Sequence, residues 1–280
     1  MITVNGIKIT PEHFLAGEQR LFGMPMFNDE GVIVFELHYT NDEEIMTLFY
    51  LSNHYRDLYP EYPQYLKMMY IPNARMDRVK DKTQVFTMKH FAKFINNLDF
   101  RKVITLDAHS DVSVALLDRI DNMAPMGEIR WAVEDIAEKN KLRFSDIVLY
   151  FPDAGAHKRY GGSAFCSNFA QIYGEKIRDF STGDIKGLEV KTCGVNLIGK
   201  NILMIDDIIS YGGTMYHSAN ELNKLGVNKI YAYASHTENA VLDTEKGTFI
   251  KSLNDGTVTS LYTTNSIFTG KHSSIIVNSL

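Results

Sequence analysis

The sequence is poor in cysteine, has no block of one charge sign and no long apolar run, and each absence removes a class of function. Only Cys166 and Cys193 are present among 280 residues. They form no CxxC pair and are too few for a disulfide scaffold or a zinc site, so two reduced thiols are expected. No uncharged apolar run approaches the roughly 20 residues that cross a bilayer. The first residues, Met1 to Gly6, lack the basic and apolar stretches of a secretory signal. A formal net charge of −5 gives no general attraction to nucleic acid or to an anionic membrane. A polyphosphate ligand would therefore need locally placed cations or a metal. No internal repeat or low-complexity tract stands out. With 45% hydrophobic and 22% charged residues, the composition is that of a globular protein, and a cytoplasmic enzyme is the expectation.

The length suits two domains of about 140 residues each. Short apolar runs alternate with longer helix-like segments. Lys102–Leu106, Asp146–Phe151, Asn201–Ile205 and Lys229–Ala234 read as buried strands. Helices are expected at Thr87–Leu98, Ile129–Asn140, Ala164–Tyr173 and Thr214–Leu225, the last stopped by Gly226. Such repetition predicts an α/β protein of two halves, 1–143 and 144–280, each a mostly parallel sheet flanked by helices. The first 70 or so residues are less regular and include the aromatic-rich Tyr55–Tyr70. In sheets of this kind ligands sit beyond the carboxyl ends of the strands. Three strand ends carry acids or a histidine: Asp107-Ala-His109, Pro152-Asp153-Ala-Gly155 and Asp206-Asp207. One convergent site is the expectation.

The stretch 201–214 carries the sharpest signal. Four apolar residues run into Asp206 and Asp207, then Ile-Ile-Ser210-Tyr211-Gly212-Gly213-Thr214, then a helix. The glycines let the backbone turn tightly and present bare N–H groups, and the helix start adds positive potential. That combination cradles phosphate. Two carboxylates just upstream cannot bind phosphate, but they accept hydrogen bonds from vicinal hydroxyls or approach a hydrated metal. A ligand with hydroxyls at one end and a phosphate at the other is a sugar phosphate. The loop is no Walker motif, because no Gly-Lys-Thr follows.

This loop closely resembles the phosphoribosyl-pyrophosphate motif of the type I phosphoribosyltransferase fold. Other segments resemble one branch of it, the ribose-phosphate diphosphokinases. Asn73-Ala-Arg75-Met-Asp77-Arg78 is similar to that family's Tyr-Ala-Arg-Gln-Asp-Lys, and Val103–His109 to its Ile-Thr-x-Asp-Leu-His strand end. Asp121-Asn122-Met123 resembles Val-Asp-Asn-Leu, and Pro152–Arg159 resembles Pro-Asp-Ala-Gly-Gly-Ala-Lys-Arg. Lys176-Ile-Arg178 sits where the family has a Lys-x-Arg pair, Gly183–Lys186 matches Gly-Asp-Val-Lys, and Thr264–Ile267 and His272–Ser279 resemble its last strands. The matches run in order from about residue 70 to the C-terminus. Before that, Phe27–Glu30 is only weakly similar to an adenine-binding stretch, and an exposed turn is the plainer reading.

The resemblance implies transfer of the β,γ-diphosphoryl group of Mg-ATP to the anomeric hydroxyl of ribose 5-phosphate. It implies Lys176 and Arg178 as catalytic cations, with Arg75, Asp77 and His109 for ATP. It implies His109 and Asp153 for Mg2+, Asp206 and Asp207 for the ribose hydroxyls, and Ser210–Thr214 for the 5-phosphate. A homo-oligomer binding neither nucleic acid nor membrane goes with it.

Three features depart from the family. Tyr211 replaces a small hydroxylic residue, Met76 replaces a Gln beside Arg75, and the chain ends at Leu280 without the expected C-terminal helix. Oligomer contacts and any allosteric ADP site are therefore not carried over. Tyr211 fits an acceptor larger than ribose 5-phosphate, such as ADP-ribose, whose pyrophosphate product serves NAD rebuilding in some relatives. Both acceptors stay open. So do two alternatives: a type I phosphoribosyltransferase, whose loop often reads Asp-Asp-x-Ile-Ser-Thr-Gly-Gly-Thr, and a non-catalytic regulatory subunit.

Overall fold

The computed structural model describes residues 1–27, 31–178 and 185–280, with side chains described outside 176–187. The chain divides into two compact units, Met1–Ala124 and Pro125–Leu280. The division precedes the helix at 126–140 instead of following it at 143/144. That helix buries Ile129, Ala132, Val133, Ile136 and Ala137 in one cluster with Leu149, Phe151 and Leu203 of the second unit.

In the first unit β1 (Ile2–Val4) and β2 (Ile7–Ile9) form a hairpin. Its two-residue turn, Asn5-Gly6, holds φ at +47° and +77°, the left-handed geometry that Asn-Gly supplies at little steric cost. A small ribbon, β3 (Glu12–His13) and β4 (Gln19–Arg20), follows. Then come β5 (Ile33–Leu37), α1 (Glu43–Leu58), β6 (Gln64–Lys67), α2 (Thr87–Asn97), β7 (Lys102–Leu106), α3 (Asp111–Leu116) and β8 (Ile120–Met123). The sheet runs β2-β1-β5-β6-β7-β8, antiparallel around β1 and parallel from β5 to β8. α2 forms because Met88, Phe91, Ala92 and Ile95 fall on one helical face, and all four are buried. Of the tyrosines in the irregular stretch, Tyr55 is core material, and the partly buried Tyr59 and Tyr62 pack against that core. Tyr55, Tyr59 and Tyr62 stack in series, and the buried Phe27 packs on the first two. Residues 28–30 of the weakly matching stretch lie outside the described residues.

The second unit begins with α4 (Met126–Asn140) and β9 (Ile147–Phe151), then a one-turn helix α5 (Ala154–Ala156). β10 (Ala170–Arg178), β11 (Ile185–Lys191), β12 (Asn201–Ile209), α6 (Gly213–Lys224), β13 (Lys229–Thr237), α7 (Phe249–Asn254), β14 (Ser260–Thr264) and β15 (Ile275–Asn278) complete it. The sheet runs β11-β10-β9-β12-β13-β14-β15, parallel except for the β10–β11 pair. α6 buries Met215, Ala219 and Leu222 at helical spacing, each large side chain contributing about 1.5–3 kcal/mol. Gly226, at φ +75°, follows its end.

The helix expected at Ala164–Tyr173 is absent. A short 3-10 turn, Cys166–Asn168, leads straight into β10, whose first four residues pair in parallel with β9. Alternating burial of Ile172 and Gly174 suits a strand, and an open sheet edge outweighed local helical spacing. β12 and β13 also run four and three residues past their expected ends at Ile205 and Ala234, carrying Asp206 and Asp207 inside the sheet.

Candidate active site

β9 and β12 are parallel neighbours with Tyr150 opposite Met204, so the segments beyond both strands emerge at the same sheet edge. After β9, Asp153 caps the next helical turn, its Oδ1 accepting the Ala156 N–H at 3.0 Å. That turn delivers Arg159, whose Nη1 stands 3.5 Å from Oδ2 of the buried Asp207. The neighbouring Asp206 is half-buried, and its Oδ1 accepts the Asp207 N–H at 3.0 Å. Burial pushes the Asp206 carboxyl well above the usual carboxylate range, with the charges of Asp207 and then Asp153 adding to the effect. The pair is thus asymmetric. Asp207 is balanced by a guanidinium, while Asp206 carries the cost of burial without a cation of its own among the described residues, and both carboxyls can accept from hydroxyls.

Tyr150 ties the floor of this edge to α6, its hydroxyl bonding Ser218 Oγ at 2.8 Å. Burial pushes that phenol up to about 12.

Beyond β12 the loop turns on Gly212, which holds φ at +76° as the residue before α6. A Cβ there would lie 2.3 Å from Phe249 Cβ, so the position excludes every side chain. Gly213 is different: its φ is ordinary, and an added Cβ would meet nothing closer than Thr248 Oγ1 at 3.8 Å. Of the two glycines expected to shape the loop, the turn itself requires only the first. Ser210, Gly213 and Thr214 are half-buried, and Tyr211 is 40% exposed. The first N–H groups of α6 have no partner within the helix and open onto this loop, the usual anchor for an anion.

In the first unit the remaining expected residues sit at the carboxyl ends of adjacent parallel strands. Past β6 the chain keeps alongside β7, with Met68 N–H bonded to Ile104 O at 2.8 Å and Leu106 N–H to Met69 O at 3.1 Å. It then turns at Asn73 (φ +65°) into the exposed Arg75 and half-buried Asp77, whose Oδ1 lies 3.9 Å from Arg78 Nε. Past β7, the buried Asp107 takes φ +47°, with its N–H bonded to Met123 O at 2.9 Å. The next N–H, of Ala108, goes to Asn122 Oδ1 at 2.9 Å and leads into His109. Asn122 therefore braces the histidine strand end, a positioning role that its motif did not reveal.

Lys176 and Arg178 lie on β10, which pairs Tyr173 with Phe151 and so runs on past the carboxyl end of β9 that leads to Asp153, but their side chains fall outside the described residues, as does Asp184 of the following motif. His109 belongs to one unit and Asp153 to the other. Among the described residues no three His, Cys, Asp or Glu side chains stand grouped as metal ligands. Magnesium commonly takes only one or two protein oxygens, with water and substrate phosphates completing its shell, and the carboxylate of Asp153 fits that donor set.

Sequence reasoning gave no role to Arg159, Thr248, Phe249 or the buried group His236–Ser266. Arg159 closes the Pro152–Arg159 motif without a function of its own there. The others have no motif, and only the packing identifies them.

No protein-family model matches the chain. A ribose-phosphate pyrophosphokinase of Thermococcus kodakarensis is 28% identical over 211 residues, covering 74% of this chain and 70% of that protein. One from Sulfurisphaera tokodaii is 25% identical over 269 residues, covering 95% of this chain and 87% of its own. The chain is a homologue of the ribose-phosphate pyrophosphokinases. The crystal structure of phosphoribosylpyrophosphate synthetase from Mycobacterium smegmatis superposes with a TM-score of 0.71 over 97% of this chain and 86% of that one, at 18% identity. The fold class expected from the sequence, two phosphoribosyltransferase-like halves with mostly parallel sheets, is that of this pyrophosphokinase homologue. Among the described residues no helix is long and apolar enough to cross a membrane.

Proposed function

We propose that the protein transfers the β,γ-diphosphoryl group of Mg-ATP to the C1 hydroxyl of a ribose 5-phosphate moiety, releasing AMP. The observation that carries this reading is the β12–α6 junction. Two inequivalent carboxylates are followed, within one strand-to-helix turn, by a left-handed glycine and an open helix start. Hydroxyl acceptors and a phosphate cradle in that order match a sugar carrying vicinal hydroxyls at one end and phosphate at the other.

In this reading Asp206 and Asp207 hold the 2- and 3-hydroxyls, and Ser210–Thr214 hold the 5-phosphate. That fixes the sugar so that its C1 oxygen faces the β-phosphorus. The C1–O–Pβ bond forms as the Pα–O–Pβ bridge breaks, and AMP leaves with the bridging oxygen. Phosphoryl transfer of this kind is positioning plus charge stabilisation. Arg75 and Asp77 serve the nucleotide, Arg75 with a fork geometry suited to phosphate. Lys176 and Arg178 supply cations to the transferring group. Asp153 and His109 are the residues that would serve as magnesium ligands, directly or through water, and the chemistry supplied by the ion when bound is charge neutralisation on the phosphates.

Tyr211 supports a finer reading of the acceptor. Its ring is 40% exposed on the loop assigned to the 5-phosphate, where an acceptor continuing past that phosphate would run. ADP-ribose has this form, and a tyrosine stacks readily on what lies beyond the phosphate. Product analysis by phosphorus NMR and mass spectrometry, with ATP and either ribose 5-phosphate or ADP-ribose, tests both layers. A new diphosphate on C1 with stoichiometric AMP supports the reaction. Turnover of ribose 5-phosphate alone rejects the larger acceptor.

A further inference from the structure

We infer that the turn Asp243–Gly247, with the Thr248 and Phe249 that it delivers, is the positioning element of the sugar-phosphate loop. This rests on the phosphoribose reading of Ser210–Thr214.

A loop that reads phosphate through backbone N–H groups works only if its peptide planes are held still. Its two consecutive glycines make it intrinsically the least constrained stretch of the strand–loop–helix unit. The rigidity comes from outside it. The carbonyl oxygen of Tyr211 accepts the N–H groups of Thr248 and Phe249, both at 3.2 Å, and the Thr248 hydroxyl at 3.3 Å. Three donors converge on one acceptor with two lone pairs, so the Tyr211–Gly212 peptide has little freedom to rotate.

The next residue is locked sterically. Phe249 is fully buried in one apolar cluster with Ile209 and Met215, which flank the loop on either side. Gly212 lies so close against it that a Cβ would fall 2.3 Å from Phe249 Cβ and 3.5 Å from Ile209 Cγ2. The left-handed turn at Gly212 is therefore packed against the phenyl group, with no slack for another conformation.

The element that presents these residues is itself self-locked. Asp243 Oδ1 accepts the N–H groups of Glu245 and Lys246 at 2.9 Å each, and its carbonyl accepts that of Gly247 at 2.8 Å. Gly247 is held so tightly that a Cβ would come within 2.2 Å of Asp243 O. Upstream, Glu238 N–H bonds Ile209 O at 2.8 Å. The segment from 238 to 249 thus starts against Ile209, just before the sugar-phosphate loop, and finishes against Tyr211 and Gly212 at its turn. The amino end of α7 spends its donors on Tyr211, which makes it a support for the loop and leaves the anion to α6.

Three variants test this: Phe249→Ala, the conservative Phe249→Leu, and Thr248→Pro, which deletes an N–H and a hydroxyl at a helix start that tolerates proline. Titration calorimetry with ribose 5-phosphate and with ADP-ribose reads acceptor affinity apart from turnover. Hydrogen exchange over residues 210–216 reads the loop itself. The expected result is a dissociation constant raised about tenfold or more in Phe249→Ala and Thr248→Pro. Phe249→Leu retains most of the affinity, the KM for ATP stays within about twofold of the parent, and exchange at 210–216 quickens. If folded Phe249→Ala and Thr248→Pro bind the acceptor as the parent does, the positioning role is overturned and the phosphoribose reading survives. If the parent binds neither compound, the phosphoribose reading falls and this inference with it. Should Phe249→Ala fail to fold by circular dichroism, the other two variants decide on the same criteria.

Discussion

Arg159 Nη1 stands 3.5 Å from Asp207 Oδ2, and this contact divides the labour of the two adjacent acids. The guanidinium balances Asp207, leaving Asp206 to carry the cost of burial beside it. Replacing Arg159 by Met leaves Asp207 charged next to Asp206 without its cation. A buried pair broken from one side loses about 3–5 kcal/mol and an exposed one under about 1. Arg159 is 30% exposed and Asp207 is 9% exposed, so the expected loss is about 2 kcal/mol. A urea-unfolding cycle of Arg159→Met, Asp207→Asn and the double variant checks it. Additive losses would show that the two side chains do not interact.

Asp206 predicts a pH signature. Its carboxyl titrates higher in the folded protein than in the unfolded chain, so the unfolded chain loses that proton first as pH rises. The group's contribution to stability is fully present below the ordinary carboxylate range. It is lost as pH rises through the window up to the raised value. Asp206→Asn removes the loss: the unliganded variant melts higher than the parent near pH 8, and the gain shrinks toward about pH 4. The same variant weakens acceptor binding, because an amide cannot accept at both positions. Thermal melts across pH check the sign, and a gain that grows on acidification would contradict it.

The two loop glycines are predicted to differ sharply. Gly212→Ala forces a left-handed alanine into contact with Phe249, and the strain and overlap together cost about 2–4 kcal/mol. Gly213→Ala is free of that overlap and sits in a helix start, where it changes stability by under about 1 kcal/mol. Equilibrium unfolding of both variants side by side is the check. Similar losses for the two would mean that the φ and packing assigned to Gly212 are wrong.

At the carboxyl ends of β13 and β14 lies a buried polar group, completed by Ser266 just past β14. His236 Nδ1 and Ser266 Oγ are 2.8 Å apart, Thr237 and Thr263 hydroxyls are 2.8 Å apart, and Thr264 Oγ1 donates to Ser235 O at 2.6 Å. Ser266→Ala strips one partner from this group and costs about 1–3 kcal/mol. Calorimetric melting measures that loss, and acceptor affinity in the folded variant stays near the parent's because the change leaves the β12 loop intact.

Much of this was legible in the residues. Lys102–Leu106 and α2 stand where their apolar spacing put them, and the acid after β9 and the two acids near the end of β12 mark one sheet edge. What stayed hidden depends on partners distant in sequence. Cys166–Tyr173 becomes a turn and a strand because β9 offers an open edge, which no local window reveals. The first 70 residues carry the antiparallel pairs around β1 and an aromatic stack, whose patterns match neither a parallel strand nor an amphipathic helix. Phe249 is invisible as a loop support because 37 residues separate it from Gly212. The division of the chain moved to Ala124/Pro125 because burial of one face of α4 outweighed its place in the strand–helix rhythm.

The central claim is diphosphoryl transfer from ATP to a ribose 5-phosphate moiety. Its most direct test is AMP release from ATP by the purified protein, with and without magnesium, across ribose 5-phosphate, ADP-ribose and no acceptor. The account predicts AMP formed only with magnesium and an acceptor, abolished by Lys176→Ala and by the Asp206→Asn, Asp207→Asn double variant. No acceptor-dependent AMP from a folded protein that still binds these compounds would contradict it and leave a non-catalytic binder. Release of pyrophosphate from phosphoribosyl pyrophosphate, with ATP untouched, would indicate a phosphoribosyltransferase instead.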